Sequence, residues 1–503
     1  MLKEISVALL CALFSSYSYA GSTNQLILKF QPAAEPGKKH IMSFSDTDRF
    51  SALAGEPIRL QRAMSGDGYV LELSRSVSNE EAERIAERIA QASDVEFVEP
   101  DGKRFIRFVP TDDGYPSQWT LNDAGSVYAG AGDIRAEAAW DISRGASSVV
   151  VAVLDTGHSL HQDIDESRIL PGYDFITDVA TANDGDGRDD DPTDPGDYTA
   201  SFSSSWHGLL IEGIIGAHTD NNIDADINTI TSIAGVDHSA SILPVRVLGS
   251  GGGFTSDIVD AMRWAAGIAV TGARNNANPA KVINLSVGSN DPCSNAEQSA
   301  IDDVVGRGAV VVISAGNEAV NVSTSAPANC SNVIAVGATD RAGGLASIYS
   351  NYGDLIDVSA PGGDELNKIP VLYNSGVTVA GADMIAEGIG TSISAAHVSG
   401  VVSLMLSVKP TLTPAQTESI LKSSARVFPA GSTCNTSICG DGIVNAAAAV
   451  TSAVSFVPPA TSTGGGGSSS GGGSFGWFGL LAVLLAGVRR KVKFTCIDNA
   501  GIP

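Results

Sequence analysis

Four short segments carry residue types suited to acyl-transfer chemistry. Asp155-Thr156-Gly157 follows directly on the apolar run Val149 to Leu154, which sets a carboxylate at the carboxyl end of a buried strand, where a glycine lets the chain turn away. Trp206-His207-Gly208 opens an apolar stretch through Ile211 to Ile215, so an imidazole is expected at the start of a buried helix. Ser314-Ala315-Gly316-Asn317 follows the run Ala309 to Ile313, where the Asn317 amide can donate to a developing oxyanion. Gly390-Thr391-Ser392 precedes Ile393 and a nearly uncharged helical run, Ser394 to Val408. A serine at the amino end of a helix keeps its own backbone N–H unpaired, so it can serve as nucleophile and oxyanion donor together.

Each segment alone has a blander reading. Asp-Thr-Gly can simply close a strand turn, and a single histidine is more often a solvated or core imidazole than a catalyst. Asp-Thr-Gly also occurs in aspartic proteases, but those need two such aspartates sharing one proton. The chain has no second Asp-Thr-Gly or Asp-Ser-Gly.

The elements that must position these residues are short, uninterrupted apolar runs: Val149 to Leu154, Val282 to Leu285, Ala309 to Ile313 and Val333 to Val336. Apolar side chains at every position predict strands buried on both faces, hence a parallel sheet covered by helices. Asp257 to Ala266 and Ala296 to Val305 have helical length and composition, and the alternation favours an α/β fold with a doubly wound, mostly parallel sheet. Ahead of this region, residues 21–110 read as a small α+β unit with strands at Gln25 to Phe30, Tyr69 to Leu73 and Val95 to Val98. Its helix, Ser78 to Gln91, starts at a Ser78/Glu81 capping box and places Ala82, Ile85, Ala86, Ile89 and Ala90 on one face. Pro110, Asp112, Asp113 and Gly114 read as a polar connector and a cleavage region.

In the order Asp155, His207, Asn317, Ser392, these segments resemble the subtilisin-like serine proteases, the subtilases, over roughly Ala138 to Val450. The resemblance implies a triad of Asp155, His207 and Ser392, with Asn317 as oxyanion donor. It further implies that Ser286-Val287-Gly288 and Ser314-Ala315-Gly316 line the primary specificity pocket and pair with substrate backbone. Those stretches hold no positive charge, which favours apolar substrate side chains, and Glu318 could admit a basic one. The N-terminal unit resembles the family's inhibitory propeptide, so the chain's own propeptide is an expected partner beside protein or peptide substrates. Two departures stand out. Where the family usually reads His-Gly-Thr-His-Val-Ala-Gly, this chain reads His207-Gly208-Leu209-Leu210-Ile211-Glu212-Gly213, and a buried Glu212 would be costly without a partner. The nucleophile segment continues Ile393-Ser394-Ala395-Ala396-His397, without the usual Met and Pro. His397 and His158 are expected to be structural. These departures motivate an alternative, a catalytically inactive subtilase-like surface binding module.

Composition bounds the remaining possibilities. The 503 residues carry 56 acids and 31 bases, a net charge of −25, so the phosphate neutralisation that nucleic-acid binding requires is missing and no nucleic-acid partner is expected. Residues 1–20 have the pattern of a signal peptide ending Ser18-Tyr19-Ala20, which makes the protein exported, with a start at Gly21. In that compartment Cys293, Cys330, Cys434 and Cys439 read as two disulfides, most simply Cys293 with Cys330 and Cys434 with Cys439, other connectivities remaining open. Between Asp178 and Asp197 lie eight aspartates and one arginine. Such an oxygen-rich, Gly-punctuated loop suits calcium, with Asp184, Asp186, Asp189 and Asp191 as candidate ligands. After the catalytic region, 111–457, come a Gly/Ser-rich linker (458–474) and an apolar segment with a basic cluster (475–503). This tail resembles the GlyGly-CTERM sorting segment of Gram-negative exported proteins, which implies transient inner-membrane tethering, cleavage by a rhomboid-type protease, and a secreted or surface-associated product. A monomer is expected.

Overall fold

The computed structural model describes residues 22–32, 40–102, 108–121, 131–221 and 230–457. The expected signal peptide and the tail from residue 458 lie outside the described residues.

At the centre is a seven-stranded sheet in which every neighbouring pair is parallel. The strand Val150–Asp155 lies between Ser241–Arg246 on one side and Val282–Leu285 on the other. Tyr173–Asp174 closes the first edge, while Val310–Ser314, Ile334–Thr339 and Val358–Pro361 follow in order toward the second. The chain therefore starts mid-sheet, runs to one edge, returns, and crosses to build the other half. This reversal makes Val150–Asp155 the topological switch point, at whose carboxyl end open α/β sheets generally bind ligands.

Burial on both faces explains the unbroken apolar runs. Val151 and Val153 join one core layer with Val310, Val312, Ile334 and Val336, whereas Ala152 and Leu154 join the opposite layer with Ile283, Leu285, Val311 and Ile313. The helices His207–Gly216, Thr391–Val408 and Ala446–Ser455 cover the first face, and Thr255–Ala265 and Asn295–Gly306 cover the second. Thr391–Val408 is long and apolar enough to cross a membrane, yet it is a buried core helix here. Its buried serines beyond the first turn find acceptors: Ser394 donates to Ala360 O, Ser399 to Asn284 Oδ1 and Ser403 to Asp237 Oδ2.

The N-terminal unit is a four-stranded antiparallel sheet in the order Ile58–Ala63, Gly68–Ser78, Ser22–Phe30, Val95–Pro100, backed by the helices Phe44–Ala54 and Asn79–Ile89. It has its own core around Leu26, Leu28, Phe50, Leu71 and Ile85, and it fits a propeptide. Only half of the expected capping box forms. Ser78 accepts from Glu81 N, but the Glu81 carboxylate turns to Arg75, and Ala90 is exposed at the helix end.

The segment 111–117 is not a free connector. Asp112 accepts from Asp220 N, Asp113 accepts from Thr231 N and Ser232 N, and Gly114 N donates to Ser232 O, which fastens this stretch to the larger unit. Polar residues without periodicity looked like a linker because their partners lie about a hundred residues downstream. Both expected disulfides form, Cys293–Cys330 and Cys434–Cys439.

Candidate active site

Asp155 is fully buried at the end of the switch-point strand, its Oδ1 accepting from Thr156 N at 2.8 Å. His207 is the first residue of its helix, and Trp206 before it adopts a left-handed conformation (φ 49°), anchored by its indole N–H to Gly376 O at 2.8 Å. The imidazole Nδ1 lies 2.8 and 2.9 Å from the two Asp155 oxygens. A carboxylate here selects the tautomer that donates from Nδ1 and leaves the Nε2 lone pair free for a proton. Burial works against the His207 charge, but the charge and hydrogen bond of Asp155, then Asp197 and Asp194, outweigh it and raise the pKa.

The helix and the strand turn are in direct backbone contact. A Cβ at Gly208 would sit 2.1 Å from Gly157 O, so no larger residue fits there. Gly208 N donates to Thr156 Oγ1 at 3.0 Å, and the Thr156 hydroxyl donates to Asp194 Oδ2 at 2.7 Å. Neither Thr156 nor Asp194 was singled out from sequence, although Thr156 sits inside the motif that was.

The remaining candidates gather at the amino end of Thr391–Val408. Gly390 holds φ 153°, a region open to glycine, and delivers the chain into the helix with Ser392 second. Asn317 Oδ1 accepts from both Thr391 N and Thr391 Oγ1 at 2.9 Å. The Asn317 Nδ2 group therefore remains available as a donor. Ser286 Oγ donates to Ser392 O at 3.4 Å, and Gly316 N donates to Thr391 Oγ1 at 3.2 Å. Ser286-Val287-Gly288 and Ser314-Ala315-Gly316 leave adjacent paired strands, so they emerge side by side next to Ser392. Glu318 is exposed, and its carboxylate accepts from Asn351 Nδ2, which braces the loop beyond Asn317. Ser392 Oγ makes no hydrogen bond among the described residues, His207 Nε2 included. Such contacts are often long before substrate binds.

His397 is structural: Nδ1 faces Ile393 O at 2.8 Å, Nε2 faces Thr120 Oγ1 at 3.0 Å, and burial pushes its pKa down to about 4. Glu212 is fully buried, and its partner is His158, with Nδ1 at 2.8 Å from Oε2.

Subtilases commonly bind structural calcium. The four proposed ligands do not fit a single cation site, because no three of the Asp184, Asp186, Asp189 and Asp191 carboxylates approach within 4.8 Å of one another. Asp184 pairs with Arg246 at 2.6 Å, Asp189 and Asp191 accept backbone N–H groups of their own loop, and Asp186 faces solvent. Arginines offset the loop's charge instead. Arg246 bonds Asp174 and Asp184, and Arg274 bonds Asp190 at 2.7 Å. Arg188, within the loop, ties it to Asp257 and Asp260. The two clusters of potential ligand atoms elsewhere among the described residues are already engaged, one by the Cys293–Cys330 disulfide and one by Arg49.

Comparison with known proteins places this geometry in a family. Residues 146–458 match the Subtilase family. An extracellular protease of Xanthomonas campestris pv. campestris is 44% identical over 416 residues, covering 80% of this chain and 68% of its own length. An extracellular basic protease of Dichelobacter nodosus is 38% identical over 394 residues, covering 75% of this chain and 61% of its own length. A solved structure of proteases from Pseudoalteromonas arctica superposes with a TM-score of 0.62 at 43% identity, covering 69% of this chain and 100% of that one. A buried carboxylate at the switch point, an imidazole bonded to it and a serine at a helix amino end thus stand within a matched family segment of 313 residues (146 to 458), and the chain belongs to the subtilase family of serine endopeptidases.

Proposed function

We propose that the protein is a secreted endopeptidase in which Asp155, His207 and Ser392 form the catalytic triad. The observation that carries this reading is the bond from His207 Nδ1 to both Asp155 oxygens, made where the parallel sheet opens. Ser392 Oγ attacks the scissile carbonyl carbon while His207 Nε2 takes its proton, and Asp155 stabilises the resulting imidazolium. The oxyanion is met by Asn317 Nδ2 and the Ser392 N–H. The intermediate then collapses, the C–N bond breaks, and His207 returns the proton to the leaving amine. Water, deprotonated by the same imidazole, releases the acyl group from Ser392. Ser286 to Gly288 and Ser314 to Gly316 hold the substrate backbone between them as an added strand.

The chain is made as a zymogen, with residues 21–110 as inhibitory propeptide. Anchoring of 111–117 to the larger unit favours cleavage on the N-terminal side of Thr111. Export through the N-terminal signal, brief tethering by residues 475–503 and rhomboid-type release complete this reading, and the two extracellular relatives support the secretion it requires. Fluorophosphonate labelling tests the catalytic assignment: wild type is tagged at Ser392, and Ser392→Ala is neither tagged nor freed of its N-terminal unit in a protease-free host. The altered neighbourhoods of His207 and Ser392 motivate the second reading, an inactive binding module. An untagged, correctly folded wild type would establish it.

A further inference from the structure

The family motif has alanine where this chain has Glu212, and the consequence of that exchange reaches the catalytic dyad. Glu212 projects from the His207 helix, five residues along, to His158, three residues beyond Asp155. The contact measures 2.8 Å and is sealed from solvent on the Glu212 side, whose Oε1 finds no other partner among the described residues. His158 Nε2 faces Glu166 at 3.3 Å, so the imidazole bridges two carboxylates. The charged and titratable groups around it are Glu212 from the helix, Glu166 from the turn Glu166–Arg168, and Asp155 from the strand end. From the loop side comes Asp194, whose N–H donates to His158 O, and Arg246 lies behind Gly157 and donates to Thr156 O.

We propose that His158 and Glu212 are positioning residues for the dyad: their charged contact fastens the turn after Asp155 to the helix that begins with His207. The Gly208 N to Thr156 Oγ1 bond fixes the same two elements at the helix start, about one turn away. Beyond the Asp155–His207 bonds and the Gly208–Thr156 bond, this contact holds the turn to the helix at a point farther along its axis, which narrows the turn's freedom to pivot. A pivot of about 1 Å at a catalytic group is worth about a hundredfold in rate. The pair touches no substrate and acts only through the Asp155–His207 geometry, so this inference rests on the proposed triad.

The imidazolium is needed for the lock. Burial opposes the His158 charge, but Glu212, then Glu166, outweigh it and hold the pKa up to about 9, while burial raises the Glu212 pKa, so the imidazole is positive at neutral pH and loses its charge above about 9. The test uses the mature enzyme and a peptide p-nitroanilide, well below the melting temperature of every variant. Glu212→Ala is expected to lower kcat about tenfold to a hundredfold with KM within about twofold. The double variant His158→Val/Glu212→Ala, which leaves no buried charge, is expected to recover the melting temperature but to keep the lowered kcat, because the attachment is still missing. Wild-type kcat declines as pH rises through about 9, and the double variant keeps its plateau there. Should Glu212→Ala fail to fold, Glu212→Gln takes its place, with the same split between kcat and KM expected. Single variants that melt earlier but keep full kcat, or a double variant that regains wild-type kcat or shows the wild-type alkaline limb, would overturn the positioning role while leaving the triad intact. A wild type that fluorophosphonate does not tag overturns both.

Discussion

Replacing Asn317 by alanine removes two functions at once, because its Oδ1 anchors Thr391 through the backbone N–H and the hydroxyl, each at 2.9 Å, while its Nδ2 is left to meet the oxyanion. The anchor matters little for folding. Asn317 is exposed, and water can replace it on a helix-terminal N–H, so a loss of roughly 0.5–1.5 kcal/mol in stability is the expected scale. The donor matters more. Losing one oxyanion donor costs roughly 10²–10³ in kcat, about 2.7–4 kcal/mol, a range that comes from a subtilisin itself. Asn317→Asp separates the two contributions, since it keeps an acceptor for Thr391 but turns the donor into a second, negatively charged oxygen. It is expected to retain the wild-type melting temperature and to lose at least as much kcat as alanine does. Both are read from active-site-titrated enzyme on a peptide anilide, with KM measured alongside. An aspartate variant within about tenfold of wild type, a difference of about 1.4 kcal/mol, would remove Asn317 from the oxyanion site.

As the proposed general base His207 must be neutral, and Asp155 raises its pKa, so the acid limb of kcat/KM should lie above the usual histidine value of about 6.5 and move down in Asp155→Asn. A limb that stays in place in that variant would assign it to another group. Arg246→Met leaves Asp174 fully buried without its cation and should destabilise the enzyme by roughly 3–5 kcal/mol in urea, with Asp174→Asn/Arg246→Met recovering part of that loss. The Cys293–Cys330 bridge closes a span of 37 residues and the Cys434–Cys439 bridge a span of 5. By loop-closure entropy, paired serine substitutions should cost roughly 4 kcal/mol for the first and roughly 2 for the second. Equal losses in urea titrations would show that chain entropy is not what these bridges contribute.

The strands were legible because doubly buried segments must be apolar at every position, and the catalytic candidates because each sits at a point where such a run ends. Val282–Leu285 has the same bounds in sequence and structure, and the three other strands expected from apolar runs differ by a residue or a few at the ends; Tyr173–Asp174, Ser241–Arg246 and Val358–Pro361 were not anticipated. Long-range polar pairing was not legible. Nothing near Glu212 points to His158, 54 residues earlier, and nothing in the aspartate-rich loop points to Arg246 and Arg274 as its counter-charges. The sequence-based case for calcium counted charges inside one window, whereas the fold balances them across several elements. The capping box failed for a similar reason, since Arg75 on the preceding strand competes for Glu81.

The helix Thr391–Val408 has a role in time as well as in space. It packs across five strands of the sheet, including the first and the last of its long half, and bears Ser392 at its tip. Asp155 and His207 are synthesised early, but this helix emerges only after every strand of the central sheet. Its apolar surface has nowhere to settle until those strands are paired, a folding route dominated by contacts distant in sequence. Ser392, the proposed nucleophile, is thus put in place by the same event that seals the core. On the proposed triad, a half-made or half-folded chain holds the acid and the base but not yet an aligned serine.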